Sequence, residues 1–263
     1  MIYVYRYGMI VLYTIIWGLI GIVTGLVDRS GEGVIWVGRR WIGWILATCG
    51  IEIECEGLEN VDRAHPAVYM SNHQSVFDVT AIVATLPVSW RFVAKKELLF
   101  VPFFGWVMGL GGHVIVDRGR HERAVKSMRA AADRIRRGTN VIIFPEGTRQ
   151  TSAGLGEFKS GGFHLALEAG VPIVPISVSG SRRITPKGSL RIERGRLKIR
   201  YGKPIPTRGL DVERRNELKE QVRHAILAGL DPELQSEGGE SAPTGWSENR
   251  GPHTLPESRG PGG

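Results

Sequence analysis

The sequence predicts an α/β fold: a mixed, mostly parallel sheet flanked by helices and preceded by an N-terminal membrane-embedded helical segment. Three observations predict it. Residues 9–27, MIVLYTIIWGLIGIVTGLV, carry no charge. From Glu54 to Gly229, short apolar runs of strand length alternate with stretches of helical composition, the signature of a sheet covered by helices. Several of the short runs end on polar residues that packing alone does not require, as expected where ligands bind beyond the carboxyl ends of strands.

The uncharged run is long enough to cross a bilayer core. A signal peptide is the rival reading, but Asp28-Arg29-Ser30-Gly31-Glu32 follows in place of an Ala-x-Ala-like cleavage site. A second apolar stretch, 34–53, carries Arg39 and Arg40 among Trp36, Trp41 and Trp44. Tryptophan and arginine together favour the headgroup zone, so it reads as an interfacial helix or half of a shallow hairpin; a core helix with two exposed arginines is the plainer alternative. Residues 1–53 are therefore expected to anchor the chain. Arg29, Arg39 and Arg40 follow the first run, against Arg6 before it. If that run spans, the remainder lies on the cytoplasmic face of an inner or plasma membrane.

Residues 54–230 form the expected catalytic domain. Strands are expected at 67–70, 91–94, 113–116, 140–144 and 173–178. Helices are expected at 76–86, ended by Pro87, and at 98–110 despite Pro102. Another is expected at 121–137, where Ala, Arg, Lys and Met dominate and Gly138 supplies the stop. Further helices are expected at 161–169, before Gly170, and at 212–230. Residues 190–193 and 197–201 read as a hairpin across Arg194-Gly195. Residues 231–263 turn to Gly, Pro, Ser and Glu and are expected to be a disordered tail.

The chain has 263 residues and a formal net charge of +8. That balance suits a polyanionic partner: nucleic acid, an acidic membrane or a phosphorylated substrate. No groove-reading or base-stacking motif accompanies the charge, so nucleic acid is not expected. Cys49 and Cys55 are the only cysteines, too few for a disulfide scaffold or a four-cysteine zinc site.

The chemistry concentrates in Ser71-Asn72-His73-Gln74-Ser75-Val76-Phe77-Asp78, just past the 67–70 strand. With a helix beginning near Gln74, Asp78 can reach back to His73. A carboxylate on one ring nitrogen fixes the tautomer and leaves the other nitrogen as a base. This is the base-and-orienter half of a triad without an evident serine nucleophile, which suits activation of a hydroxyl on the substrate itself. The plainer reading is a helix cap beside a first-turn acid. A metal site is not expected, because no His-x-x-x-His or cysteine pair completes a shell. Lys95, Lys96, Arg118, Arg149 and Lys159 lie near strand ends or the loops that follow, where they could hold an anion.

Asn72-His73-x4-Asp78 matches the Asn-His-x4-Asp motif of the glycerolipid acyltransferases, and Phe144-Pro145-Glu146-Gly147-Thr148-Arg149 matches their Phe-Pro-Glu-Gly-Thr-Arg motif. Lys96-Glu97-Leu98 with Pro102 and Gly105 resembles the Lys-x-Glu-Leu-x3-Pro-x2-Gly block, with Lys95 or Lys96 in the lysine place. Arg118 falls where that block's distant arginine is expected, and Val171-Pro172-Ile173-Val174-Pro175 resembles the fourth block. All four occur in family order over roughly residues 54–206. The chain most resembles the 1-acyl-glycerol-3-phosphate branch.

The resemblance implies the glycerolipid acyltransferase fold and transfer of a fatty acyl group from acyl-ACP or acyl-CoA to the sn-2 hydroxyl of lysophosphatidic acid, forming phosphatidic acid. It implies catalysis by His73 and Asp78. It implies acceptor binding by Lys95 or Lys96, Arg118, Glu146, Gly147, Thr148 and Arg149. For Glu146 the plainer alternative is an ion pair with Arg149 or Lys159. No bound cofactor is expected, only the thioester co-substrate; the partners are membrane lipids and the acyl carrier. A different acceptor, such as glycerol-3-phosphate, another lysophospholipid or a lyso-aminolipid, or a non-catalytic lipid-binding membrane protein, are the alternatives. A hydrolase, with water in the acceptor's place, is a third.

Overall fold

The computed structural model describes residues 1–116, 121–151 and 154–235. Among them, seven strands form one sheet in the order β1-β7-β6-β2-β5-β3-β4. The strands are β1 (Ile51–Glu56), β2 (Val68–Ser71), β3 (Trp90–Lys95), β4 (Val114–Val116), β5 (Asn140–Ile143), β6 (Ile173–Ser179) and β7 (Gly195–Tyr201). All pairings are parallel except β6 with β7. The sheet is thus mixed and mostly parallel, as the sequence predicts.

Alternation along the central strands divides two cores. Tyr69 and Ile142 face one side; Val68, Met70, Val141 and Ile143 face the other. The first side is covered by α2 (Glu32–Cys49) and α3 (Phe77–Thr85), through Ile42, Ile45, Phe77 and Ile82. The second is covered by α5 (His121–Arg136), α6 (Gly161–Ala169) and α8 (Arg215–Gly229), through Ile135, Phe163 and Val222. The remaining helices are α1 (Ile2–Val27), α4 (Phe104–Leu110) and the short α7 (Ser181–Ile184) and α9 (Pro232–Gln235).

Several expectations are corrected. The second apolar stretch does not run to residue 53. Gly50 adopts φ +66, ending α2 at Cys49, and Ile51 opens an edge strand. Nor is α2 merely interfacial, since Ile35, Ile42, Ile45 and Cys49 sit in the sheet's core. Of its arginines, Arg39 is not solvated: it donates to the carbonyls of Leu86 and Val88 at 2.7 and 2.9 Å. The hairpin over 190–201 is absent. Residues 190–193 form no strand, and β7 pairs instead with β1 and β6. Its parallel register sets Glu52 opposite Arg196 and Glu56 opposite Arg200, and both pairs close as ion pairs, at 3.7 and 2.5 Å. The expected tail begins with α9; residues 236–263 lie outside the described residues.

Helix α1 is long and apolar enough to cross a membrane, spanning about 39 Å at 1.5 Å per residue. Yet both its ends are fastened to the α/β domain. At the start, buried Arg6 donates to the carbonyl of Ile192, and the Tyr3 hydroxyl donates to Glu193. Beyond its end, the carbonyl of Ser30 accepts from the Arg91 guanidinium at 2.8 Å. Between these points Gly18, Gly21 and Gly25 are buried. A Cβ on Gly18 would come within 2.6 Å of the Phe103 Cβ, so this glycine permits the close approach of the segment entering α4. Helix α1 therefore lies along the domain. Its outer face exposes Val11, Leu12, Ile16, Leu19 and Val23, and Trp36, Trp44 and Trp106 are exposed on α2 and α4.

Candidate active site

His73 follows β2, and the second motif follows β5, the neighbouring strand. Parallel pairing brings their carboxyl ends side by side, where the site lies. The His73 Nδ1 is 3.1 Å from Asp78 Oδ2. Asp78 is fully buried in the first turn of α3, and the same oxygen accepts the main-chain N–H groups of Gln74 at 2.6 Å and Ser75 at 2.8 Å. With Nδ1–H donated to the carboxylate, Nε2 is the basic nitrogen. The helix-cap reading does not match the structure: the N-cap of α3 is Val76, with no side-chain cap. The one carboxylate oxygen instead ties the ring to the two main-chain N–H groups that precede the helix.

The second motif grips the His73 main chain from the other side. Glu146 Oε1 accepts the His73 N–H at 2.7 Å, and the Gln150 N–H donates to the His73 carbonyl at 2.8 Å. Phe144 stacks on the imidazole, with centroids 4.1 Å apart and planes 23° from parallel. Glu146 Oε2 accepts the Gly156 N–H at 2.9 Å. Glu146 is 2% exposed. Burial pushes its carboxyl above the usual range, against the lowering effect of the Gly156 and His73 hydrogen bonds.

A cavity of about 460 Å³ opens beside His73. Its lining includes Lys95, Thr148 and Arg149 and is otherwise mostly apolar, with Trp17 and Gly18 of α1, Trp41 of α2 and Val107 of α4 among its walls. Its wall also includes His113, whose Nδ1 accepts the Phe92 N–H at 3.0 Å. Burial first, then the nearby Arg91 and Arg134 charges, depress this imidazole to about 3. It therefore adds no charge to the cavity wall near neutral pH.

The Acyltransferase family model matches residues 52–179. The 1-acyl-sn-glycerol-3-phosphate acyltransferase of Saccharomyces cerevisiae is 32% identical over 208 residues, covering 74% of this chain and 68% of that protein. The Salmonella typhimurium protein of the same name is 30% identical over 248 residues, covering 93% of this chain and 99% of its own. The chain belongs to the 1-acyl-sn-glycerol-3-phosphate acyltransferases. Its fold resembles the crystal structure of the 1-acyl-sn-glycerophosphate (LPA) acyltransferase PlsC from Thermotoga maritima, with TM-score 0.74 and 24% identity over 86% of this chain and 91% of that one.

In this acyltransferase His73, Lys95, Gly147, Thr148 and Arg149 all line the one cavity. Lys96 is exposed but is not part of its wall, so of the two lysines Lys95 is the one in the lining. Arg118 lies outside the described residues. Glu146, expected to position the acceptor, does not reach the cavity; both its oxygens are taken by main-chain N–H groups. Neither Arg149 nor Lys159 pairs with it. Trp41, expected at headgroup depth, lines the cavity instead. The main-chain N–H groups of Gln74 and Ser75, just before α3, are already taken by Asp78. Ser75 donates its hydroxyl to the Thr185 carbonyl at 2.8 Å and is fully buried, so it is no nucleophile. Among the described residues no group of three or more His, Cys, Asp or Glu gathers to hold a metal ion.

Sequence reasoning quoted Asn72 within the motif but gave it no task. Its amide donates to the Val178 carbonyl at 2.9 Å and its oxygen accepts the Val178 N–H at 2.8 Å. This fully buried clasp stitches the end of β2 to β6, one residue before His73. The Asn72→Ala variant leaves both main-chain groups of Val178 without this partner. It is expected to lose about 2–6 kcal/mol of stability, at about 1–3 kcal/mol for each of the two buried unsatisfied groups, measured by urea unfolding in detergent.

Proposed function

We propose that this chain transfers a fatty acyl group from an acyl thioester, acyl-ACP or acyl-CoA, to the sn-2 hydroxyl of 1-acylglycerol-3-phosphate, giving phosphatidic acid. The observation that carries this reading is the oriented His73–Asp78 pair against a mostly apolar cavity whose lining also holds Lys95 and Arg149. His73 Nε2 removes the hydroxyl proton as the oxygen attacks the thioester carbonyl. The tetrahedral intermediate collapses by breaking the carbon–sulfur bond, and the imidazolium returns the proton to the departing thiolate. Asp78 keeps the ring oriented and stabilises its charged form. Lys95 and Arg149, with Arg118, bind the acceptor's phosphate, and the apolar lining takes a fatty chain. The reaction draws on no bound cofactor beyond the thioester.

The same reading places the protein in one leaflet of the membrane. A helix tied to the domain at both ends cannot cross to the far side. The exposed apolar residues of α1, with Trp36, Trp44 and Trp106, form the embedded face.

The test follows thiol release from long-chain acyl-CoA and acyl-ACP in mild detergent, with and without lysophosphatidic acid. Acceptor-dependent release with phosphatidic acid as the new lipid is the expected result. Release only with another lysolipid or with glycerol-3-phosphate reassigns the acceptor. Release without any acceptor makes the protein a hydrolase, and lipid binding without turnover of any acceptor removes the enzymatic reading.

A further inference from the structure

Between α7 and β7 a loop projects from the active-site side of the domain. Its stem is closed by the Thr185 hydroxyl donating to the Arg191 carbonyl at 2.9 Å and by the Glu193 N–H donating to the Ile184 carbonyl at 2.9 Å. Its tip is an ordered turn. The Ser189 N–H donates to the Pro186 carbonyl at 3.1 Å, Gly188 takes φ +83, and the Arg191 N–H donates to the Ser189 hydroxyl at 3.0 Å. On that tip Leu190 is 78% exposed. Among the described residues the clamped turn therefore presents this leucine outward.

The residues around Leu190 suggest what it meets. Residues 186–194 hold Lys187, Arg191 and Arg194 against one acid, Glu193. That acid is engaged by the Tyr3 hydroxyl, so the basic groups outweigh it. The loop's base is also where α1 starts, through Arg6 on the Ile192 carbonyl. There Ile2, Val4 and Tyr5 are exposed and continue the apolar outer face of α1. An exposed leucine on a loop rich in basic residues, adjoining an apolar helix face, fits an anionic lipid surface: the side chain enters the acyl region while the cations meet phosphates. The loop is also wired to the site. Lys187 donates to the Arg149 carbonyl at 2.9 Å, and Thr185 holds Ser75, two residues from His73.

We propose that the 186–194 loop is a second membrane contact, with Leu190 inserted among acyl chains and Lys187, Arg191 and Arg194 on the phosphates of anionic lipids, beside the active site. This rests on the reading that the outer face of α1 is embedded. The contact brings the cavity to headgroup level, where an anionic lipid acceptor can enter without leaving the membrane.

The test attaches an environment-sensitive fluorophore to the full chain at Leu190→Cys or, separately, at Leu19→Cys on α1, in a Cys49→Ala/Cys55→Ser background. Each protein is reconstituted with phosphatidylcholine vesicles, with or without phosphatidylglycerol. The expected result is a blue-shifted emission at both positions. At position 190 the intensity should rise about twofold or more with the anionic lipid. The rise should fall with added salt and in the Lys187→Glu/Arg191→Glu/Arg194→Glu variant, while position 19 responds to neither. A Leu190→Ser variant should raise KM for vesicle-borne lysophosphatidic acid while leaving KM for a short-chain, water-soluble acceptor unchanged. Water-like emission at 190 with burial at 19 overturns the loop contact and leaves the embedded helix standing. Water-like emission at both removes the membrane reading and this inference with it. If the charge reversals raise KM only for an acyl-ACP donor and the 190 probe stays in water, the loop docks an acidic protein and the proposal is wrong.

Discussion

Replacing His73 with alanine is expected to lower kcat about a thousandfold, the usual worth of a positioned general base, with little change in KM for either substrate. The expectation follows from how the ring is held. Asp78 fixes one edge at 3.1 Å, Phe144 covers one face, and the backbone is gripped at both its N–H and its carbonyl. Alanine gives up the ring's contacts with Asp78 and Phe144 but keeps both main-chain grips, and Asp78 retains its two main-chain donors, so the fold survives and thiol release reads the chemistry. The Asp78→Asn variant separates orientation from charge. Asp78 Oδ2 accepts from two main-chain N–H groups as well as from the ring. A neutral amide in that place no longer stabilises the imidazolium, and kcat is expected to fall about a hundredfold or more. If His73→Ala retains more than a tenth of kcat, another base carries the reaction.

Glu146→Ala is expected to damage both stability and turnover. It strands the His73 and Gly156 N–H groups in a buried site, which costs about 2–6 kcal/mol. It also frees the His73 backbone, and a shift of about an ångström at a reacting group lowers kcat about a hundredfold. Glu146→Gln keeps an acceptor for one of the two donors and should fall between alanine and wild type. The wild-type carboxyl also gives a pH signature. Its folded pKa is raised, chiefly by burial. The folded state therefore binds more proton than the unfolded state between the ordinary glutamate value and the raised one. Stability falls as pH rises through that window, and the fall is absent in Glu146→Gln. Denaturation of the two proteins at matched pH values measures the difference. Identical pH dependence would show that Glu146 does not titrate between the states.

The site was legible where chemistry is local in sequence. His73 and Asp78 are five residues apart, so the short turn from His73 into α3 brings them together. Glu146 was recognised by its motif but misassigned, because its partners, His73 and Gly156, are set by the pairing of β2 with β5 rather than by any local pattern. Asn72 was silent for the same reason: Val178 lies 106 residues away. The fold was readable along the central strands, which are short, apolar and bounded by turn residues. It failed at the sheet's far edge. In Ile51-Glu52-Ile53-Glu54-Cys55-Glu56 the alternation was absorbed into the preceding apolar stretch, although Gly50 marks the break. Arg194-Gly195 resembled a hairpin turn, whereas β7 takes one neighbour from the start of the domain, β1, and another, β6, from before the loop. Distant pairing of this kind leaves no trace in the residues beside the turn.

Helix α1 is more than an attachment. Trp17 and Gly18 on its inner side close the cavity, while the opposite side of the same helix faces outward with Leu12, Ile16 and Leu19. One strip of sequence is therefore both the hull of the protein and the lining of its reaction chamber. Such an anchor is not interchangeable. A shortened chain beginning after Gly31 would be missing a wall rather than a tether, and a foreign transmembrane helix grafted in its place would restore residence at the membrane without restoring the chamber.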